Sequence, residues 1–197
     1  MSDGSPRQAL RGEERSAAAS TPARAGSLSR DDRLRVREIL ERTGRFRDEE
    51  VDVALELFDE AVPEAGAADG ARREDYEAVG AFAGERLVGF AVYGPTPATD
   101  RTWDLYWIAV DPEAQGTGGG TALLREVERR ITERRARMLV VETSARDEYA
   151  GARAFYLSRG YDEAARVGEF YAPGDDRVIF TRRFHEGPAE GPGAAAR

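Results

Sequence analysis

The chain has 197 residues and a formal net charge of −8, with 37 acidic residues against 29 basic ones, and the sequence contains no lysine. Zero cysteines and a single histidine, His185, argue against disulfides, thiolate metal sites, a cysteine nucleophile and any imidazole cluster, so no metal is expected. The acidic balance argues against a nucleic-acid partner, which calls for a basic patch, and no apolar run approaches the roughly 18 residues of a membrane helix.

An apolar share of 41% suits one domain with a real core and loose ends. With no apolar block near the N-terminus to serve as a secretory signal, a cytoplasmic location is expected. Residues 1–28 are rich in Ala, Ser, Gly and Arg without periodicity and read as a disordered tail. The domain is expected over 29–185. It opens with Ser29-Arg30-Asp31-Asp32, a capping box for a helix to about Thr43 that carries Val36, Ile39 and Leu40 on one face and stops at Gly44. A second helix, about Asp48 to Val62, repeats Val51, Ala54, Leu55, Phe58 and Ala61 at helical spacing. Ala78–Ala83 and Leu87–Tyr93 read as a hairpin, and Thr102–Val110 as the next strand. A helix around Leu123 to Ile131, a strand over Arg137–Thr143 and a helix from about Tyr149 to Arg159 follow. Tyr161–Phe170 and Arg177–Phe184 form a last hairpin, joined through residues 172–176. His185 is expected at the surface beyond it, and 186–197 form a second tail.

The most informative segment runs from Ile108 to Leu124: a strand end, an Asp111-Pro112 break, a glycine-dense turn and a helix start. Glycines let successive N–H groups converge, and a helix N-terminus adds about half a positive charge there, so a phosphorylated ligand is the natural occupant. A Walker A loop needs a lysine, which the chain lacks, and a dinucleotide fingerprint starts directly after its strand, whereas residues Asp111 to Gln115 intervene here.

What fits is Gln115-x-x-Gly118-x-Gly120, and with it the chain resembles the Gcn5-related N-acetyltransferase superfamily. Tyr156-x-x-x-Gly160-Tyr161, at the end of a helix about forty residues on, matches a second motif of that family. The resemblance implies an α/β fold: a central mixed, mostly antiparallel sheet flanked by about four helices. The family's first strand is hard to find, with only Gly26-Ser27-Leu28 available for it.

The resemblance also implies an acetyl-CoA-dependent N-acetyltransferase acting on a primary amine, more readily of a small molecule than of a protein, by direct attack in a ternary complex. A non-catalytic acyl-CoA sensor of the same fold is the alternative. Main-chain groups of Ile108, Ala109 and Val110 would face the pantetheine arm and the thioester oxygen. Gln115, Gly116, Thr117, Gly118, Gly119, Gly120 and Thr121 would take the pyrophosphate. Tyr156 would be the general acid, since a phenol of pKa about 10 can protonate a thiolate of about 8.5.

Asp104 and Glu142, acids within otherwise apolar strands, are the candidate bases; the other reading is that each faces solvent or pairs with an arginine. Alternation places Asp104, Tyr106 and Ile108 on one face and Trp103, Leu105 and Trp107 on the other. Glu49, Glu50 and Asp52 would favour a cationic acceptor or simply suit a helix N-terminus, and Tyr171 to Asp176 would close over the acceptor or simply turn. Relatives that pair leave a homodimer open.

Overall fold

The computed structural model describes residues 22–63 and 75–184. His185, the C-terminal tail and residues 1–21 of the N-terminal one lie outside them. The described residues contain seven strands, in the sheet order β1-β2-β3-β4-β5-β7-β6, and four α-helices. The strands are β1 (Arg24–Gly26), β2 (Glu77–Ala83), β3 (Arg86–Pro95), β4 (Thr102–Val110), β5 (Met138–Ser144), β6 (Asp162–Ala172) and β7 (Asp175–Arg183). The helices are α1 (Arg33–Thr43), α2 (Asp48–Ala61), α3 (Gly119–Glu133) and α4 (Ala150–Leu157). The residues cluster into two compact units: the chain up to Gly94 with Leu105–Glu128, and Pro95–Asp104 with the chain from Arg129. No described helix is long and apolar enough to cross a membrane.

In the first unit the capping box forms as its residue types dictate. The Ser29 N–H and hydroxyl both donate to the Asp32 carboxylate, at 2.8 and 3.1 Å, although a 3-10 turn over Arg30–Asp32 precedes the α-helix. Gly44 ends α1 in the left-handed conformation, φ 63°. The apolar face of α1 (Val36, Ile39, Leu40) and that of α2 (Val51, Ala54, Leu55, Phe58) are buried with Leu87, Phe90, Val92 and Ala109 in one core. Each of the Val, Leu, Ile and Phe side chains contributes roughly 1.5–3 kcal/mol by leaving water, which decides the placement of two otherwise highly charged helices. Asp59 of α2 accepts both Arg33 Nε, at 2.9 Å, and Arg30, bracing the two helices at one end.

The first strand is two residues earlier than expected. Arg24–Gly26 pairs antiparallel with β2, Arg24 opposite Phe82 and Gly26 opposite Gly80. It lies inside the span read as a tail to residue 28, because three ladder residues leave no hydrophobic alternation to read.

In the second unit β7 is flanked by β5 and β6, antiparallel to both. All of β6 is exposed, and its register with β7 shifts between Val167 and Ala172. The last hairpin is tighter than expected. Tyr171 and Ala172 belong to β6, and only Pro173-Gly174 turn the chain, so the stretch read as a closing loop is mostly ladder.

Candidate functional site

The glycine segment leaves β4 at Asp111. The Asp111 N–H donates to the Val88 carbonyl at 2.8 Å, anchoring the strand end to β3, and its carboxylate accepts the Glu113 N–H at 3.0 Å, capping a 3-10 turn over Pro112–Ala114. The Thr117 N–H and hydroxyl then both donate to the Ala114 carbonyl, at 3.3 and 2.6 Å. Gly116 and Gly118 have φ of 82° and 91°, values an L side chain rarely adopts. A Cβ built on either would meet nothing within 4 Å, so both lie on an open face.

The first ladder bond of α3 is the Ala122 N–H to the Gly118 carbonyl, 2.9 Å. The amides of Gly119 and Gly120 therefore precede the ladder, at the positive end of a 15-residue helix. Expected donors to a pyrophosphate thus sit together on one continuous turn. Ile108 and Val110 are half-buried and Ala109 is buried.

Asp111 is fully buried, and the charges around it were not foreseen from the sequence. Arg35 forms an ion pair with its Oδ2; Arg86 reaches the same oxygen at 3.3 Å and Arg42 reaches Oδ1 at 3.6 Å. Arg42 also pairs with Glu113 at 2.7 Å. Burial pushes the Asp111 carboxyl up, but the Glu113 amide and the Arg35 guanidinium outweigh it and hold the group below the usual carboxylate range. The signal that could have found this cluster is the seven-residue spacing of Arg35 and Arg42, two turns apart on one helix face, combined with an acid at a strand end.

Asp104 is half-buried on β4, and its Oδ2 accepts the Thr96 hydroxyl at 2.7 Å. Glu142 is exposed on β5 and pairs with Arg177 of β7. It stands opposite Ile179, so Arg177 is its diagonal neighbour on the same face. The Glu142 carboxylate thus has an arginine partner while remaining exposed. Arg177 also lies 4.7 Å over the Phe170 ring.

Tyr156 is buried on α4 between Tyr161 and Phe180, with ring centroids 5.6 and 5.7 Å away. Gly160 stops the helix, and the Tyr161 N–H returns to the Tyr156 carbonyl at 3.2 Å. The Tyr-x-x-x-Gly-Tyr spacing therefore has a packing consequence of its own. Burial pushes the Tyr156 phenol well above its ordinary value.

Alternation along β4 holds for most positions: Trp103, Leu105 and Ala109 are buried, while Asp104, Tyr106 and Ile108 are half-buried. Trp107 is half-buried too and packs on Phe46 at 5.7 Å. At the start of α2, Glu50 turns back to accept the Arg47 N–H at 2.8 Å and Asp52 pairs with Arg37 at 2.9 Å. Those acids complete a cap and an interhelix pair. In the last hairpin, Asp175 accepts the Ser144 hydroxyl at 2.5 Å and Asp176 the Glu169 N–H at 3.0 Å. Among the described residues no group of His, Cys, Asp and Glu could hold a metal ion.

The sequence model of the acetyltransferase (GNAT) family matches residues 34–161. Among solved structures, a protein assigned to the GNAT acetyltransferases from Desulfovibrio desulfuricans is 42% identical, covering 82% of this chain and 97% of its own, with a TM-score of 0.72. The ribosomal-protein-S18-alanine N-acetyltransferase of Escherichia coli is 23% identical over 85% of this chain and 97% of its own, TM-score 0.66. The Salmonella typhimurium protein yncA, solved with acetyl-CoA, is 16% identical over 85% and 96%, TM-score 0.64. The last two likenesses speak to the fold alone. No curated protein matches the chain. The chain belongs to the acetyltransferase (GNAT) family.

Proposed function

We propose that this protein is an acetyl-CoA-dependent N-acetyltransferase whose acceptor is a primary amine on a small molecule, working by direct attack in a ternary complex. The observation that carries the donor half is the turn from Gln115 to Thr121. It combines two glycines at positive φ, an open face above them and helix-start amides ahead of the first ladder bond. Such a turn binds a pyrophosphate through main-chain N–H groups, without a cationic side chain.

Acetyl-CoA brings the activated acyl group. The main chain of Ile108–Val110 would donate to the thioester oxygen as charge develops there. Tyr156 would hold a proton for the departing thiolate, which a phenol carries throughout the neutral range; burial raises its pKa and so makes it a weaker donor than a solvated phenol. For deprotonation of the amine we favour Asp104, relayed through water, over Glu142, because Arg177 already engages the Glu142 carboxylate. The net charge of −8 mildly favours a cationic acceptor. A cytoplasmic setting belongs to the same proposal; a chain without cysteine needs no oxidising compartment.

The test is thermal unfolding with and without acetyl-CoA. At a hundred times its dissociation constant a ligand adds about 2.7 kcal/mol, expected here as a rise in Tm of several degrees; no rise at millimolar ligand would remove the donor assignment. Thiol release across a panel of small amines then separates an enzyme from a sensor, and release with none of them would leave the sensor.

A further inference from the structure

We propose that Asp111 is a positioning residue for the cofactor turn, locked by Arg35 of α1 and Arg86 of β3 so that the backbone from Gln115 to Gly120 is set before ligand arrives. The inference rests on the reading of that turn as the pyrophosphate site.

Every polar group of Asp111 is engaged. Its N–H goes to the Val88 carbonyl and its own carbonyl accepts the Ala114 N–H, each at 2.8 Å. One carboxylate oxygen takes the Glu113 N–H at 3.0 Å, and the other takes Arg35 and, at 3.3 Å, Arg86. Arg35 also donates to the Leu87 carbonyl at 3.1 Å, so one guanidinium ties α1 to β3 and to the end of β4. From Asp111 the bonds run forward: its carbonyl holds the Ala114 amide, the Ala114 carbonyl holds both donors of Thr117, and the carbonyl of the following residue, Gly118, starts the α3 ladder, while that of Thr117 accepts the Ala23 N–H at 3.5 Å. A shift of the buried carboxylate would therefore be passed to the glycines.

Burial fixes the arrangement further, because a carboxylate without water or partners is costly and stays only where its guanidinia are. The arginines are themselves committed. Arg35 pairs with Glu38 at 2.8 Å as well as with Asp111, and Arg42 and Arg86 both reach Glu113, at 2.7 and 3.5 Å. Their charge is balanced inside the cluster, so their part is to hold the turn, and the ligand is left to main-chain amides.

The experiment measures binding to the full chain of acetyl-CoA, its 3′-dephospho form and S-acetylpantetheine, which lacks the pyrophosphate. It compares the wild type with Asp111→Asn, Arg35→Gln and, as a milder change at a half-exposed side chain, Arg86→Gln. Expected is a loss of roughly tenfold or more in affinity for both pyrophosphate ligands, with S-acetylpantetheine binding unchanged, as follows when a binding group is displaced by a fraction of an ångström. Equal weakening of all three ligands would mean general loosening, and no weakening would mean a turn rigid without Asp111; either overturns the proposal. A loss seen only with the 3′-phosphate present would make the arginines direct phosphate ligands and overturn it as well. If Asp111→Asn does not fold, Arg86→Gln carries the comparison. A wild-type protein that binds none of the ligands would refute the cofactor reading itself, an outcome distinct from any of these.

Discussion

Burial of the Tyr156 phenol raises its pKa above the ordinary value near 10, and the sign of two effects follows. For chemistry, the group stays protonated over the whole working range, so it can donate but never serves as a base. For stability, a folded-state pKa above the unfolded one means that the contribution is complete below about pH 10 and is lost as pH rises beyond it. Tyr156→Phe, which keeps the ring between Tyr161 and Phe180, is expected to unfold at the same urea concentration as wild type at pH 7 and to lose less stability above about pH 10. Turnover should fall by roughly a hundredfold or more if the phenol is the acid. Unchanged turnover with the altered alkaline stability would leave Tyr156 as a packing residue only.

At the level of elements, the turn into α3 separates backbone geometry from ligand contact. In Gly118→Ala the new methyl meets nothing within 4 Å of the protein, and the cost is that of holding an L residue at φ 91°, about 1 to 2 kcal/mol. Because that open face is where the ligand is proposed to lie, acetyl-CoA affinity should drop further than the strain alone explains. Calorimetry beside urea unfolding reads both, and an unchanged affinity would place the ligand elsewhere.

The elements also show what a sequence can declare. β4 spans Thr102–Val110 as its apolar run indicates, and α1 and α2 lie where their caps and periodicity put them, because these signals are local. β1 is too short to carry a pattern and is made by pairing with Ala81 and its neighbours. The partners of the candidate acids, Arg177 for Glu142 and Thr96 for Asp104, are likewise set by tertiary register. Within the candidate site the backbone geometry of the turn is legible, since glycine spacing encodes it. The side-chain part is not, since Arg35 stands 76 positions from Asp111.

For the molecule as a whole, the proposed roles are divided between the two units. The cofactor turn belongs to the first and Tyr156 to the second. Hydrogen exchange with saturating acetyl-CoA is expected to slow at the amides of 115–121, within the first unit. Unchanged exchange there would remove the donor reading.

The cluster that anchors the turn has one more consequence. Its three cations, Arg35, Arg42 and Arg86, are guanidinia, which stay protonated at any pH the protein meets and offer no free amine. An ammonium in any of those places could shed its proton and be acylated, losing the charge that holds Asp111. Built from arginine alone, the clamp is chemically inert toward the thioester whose carrier it is proposed to help hold.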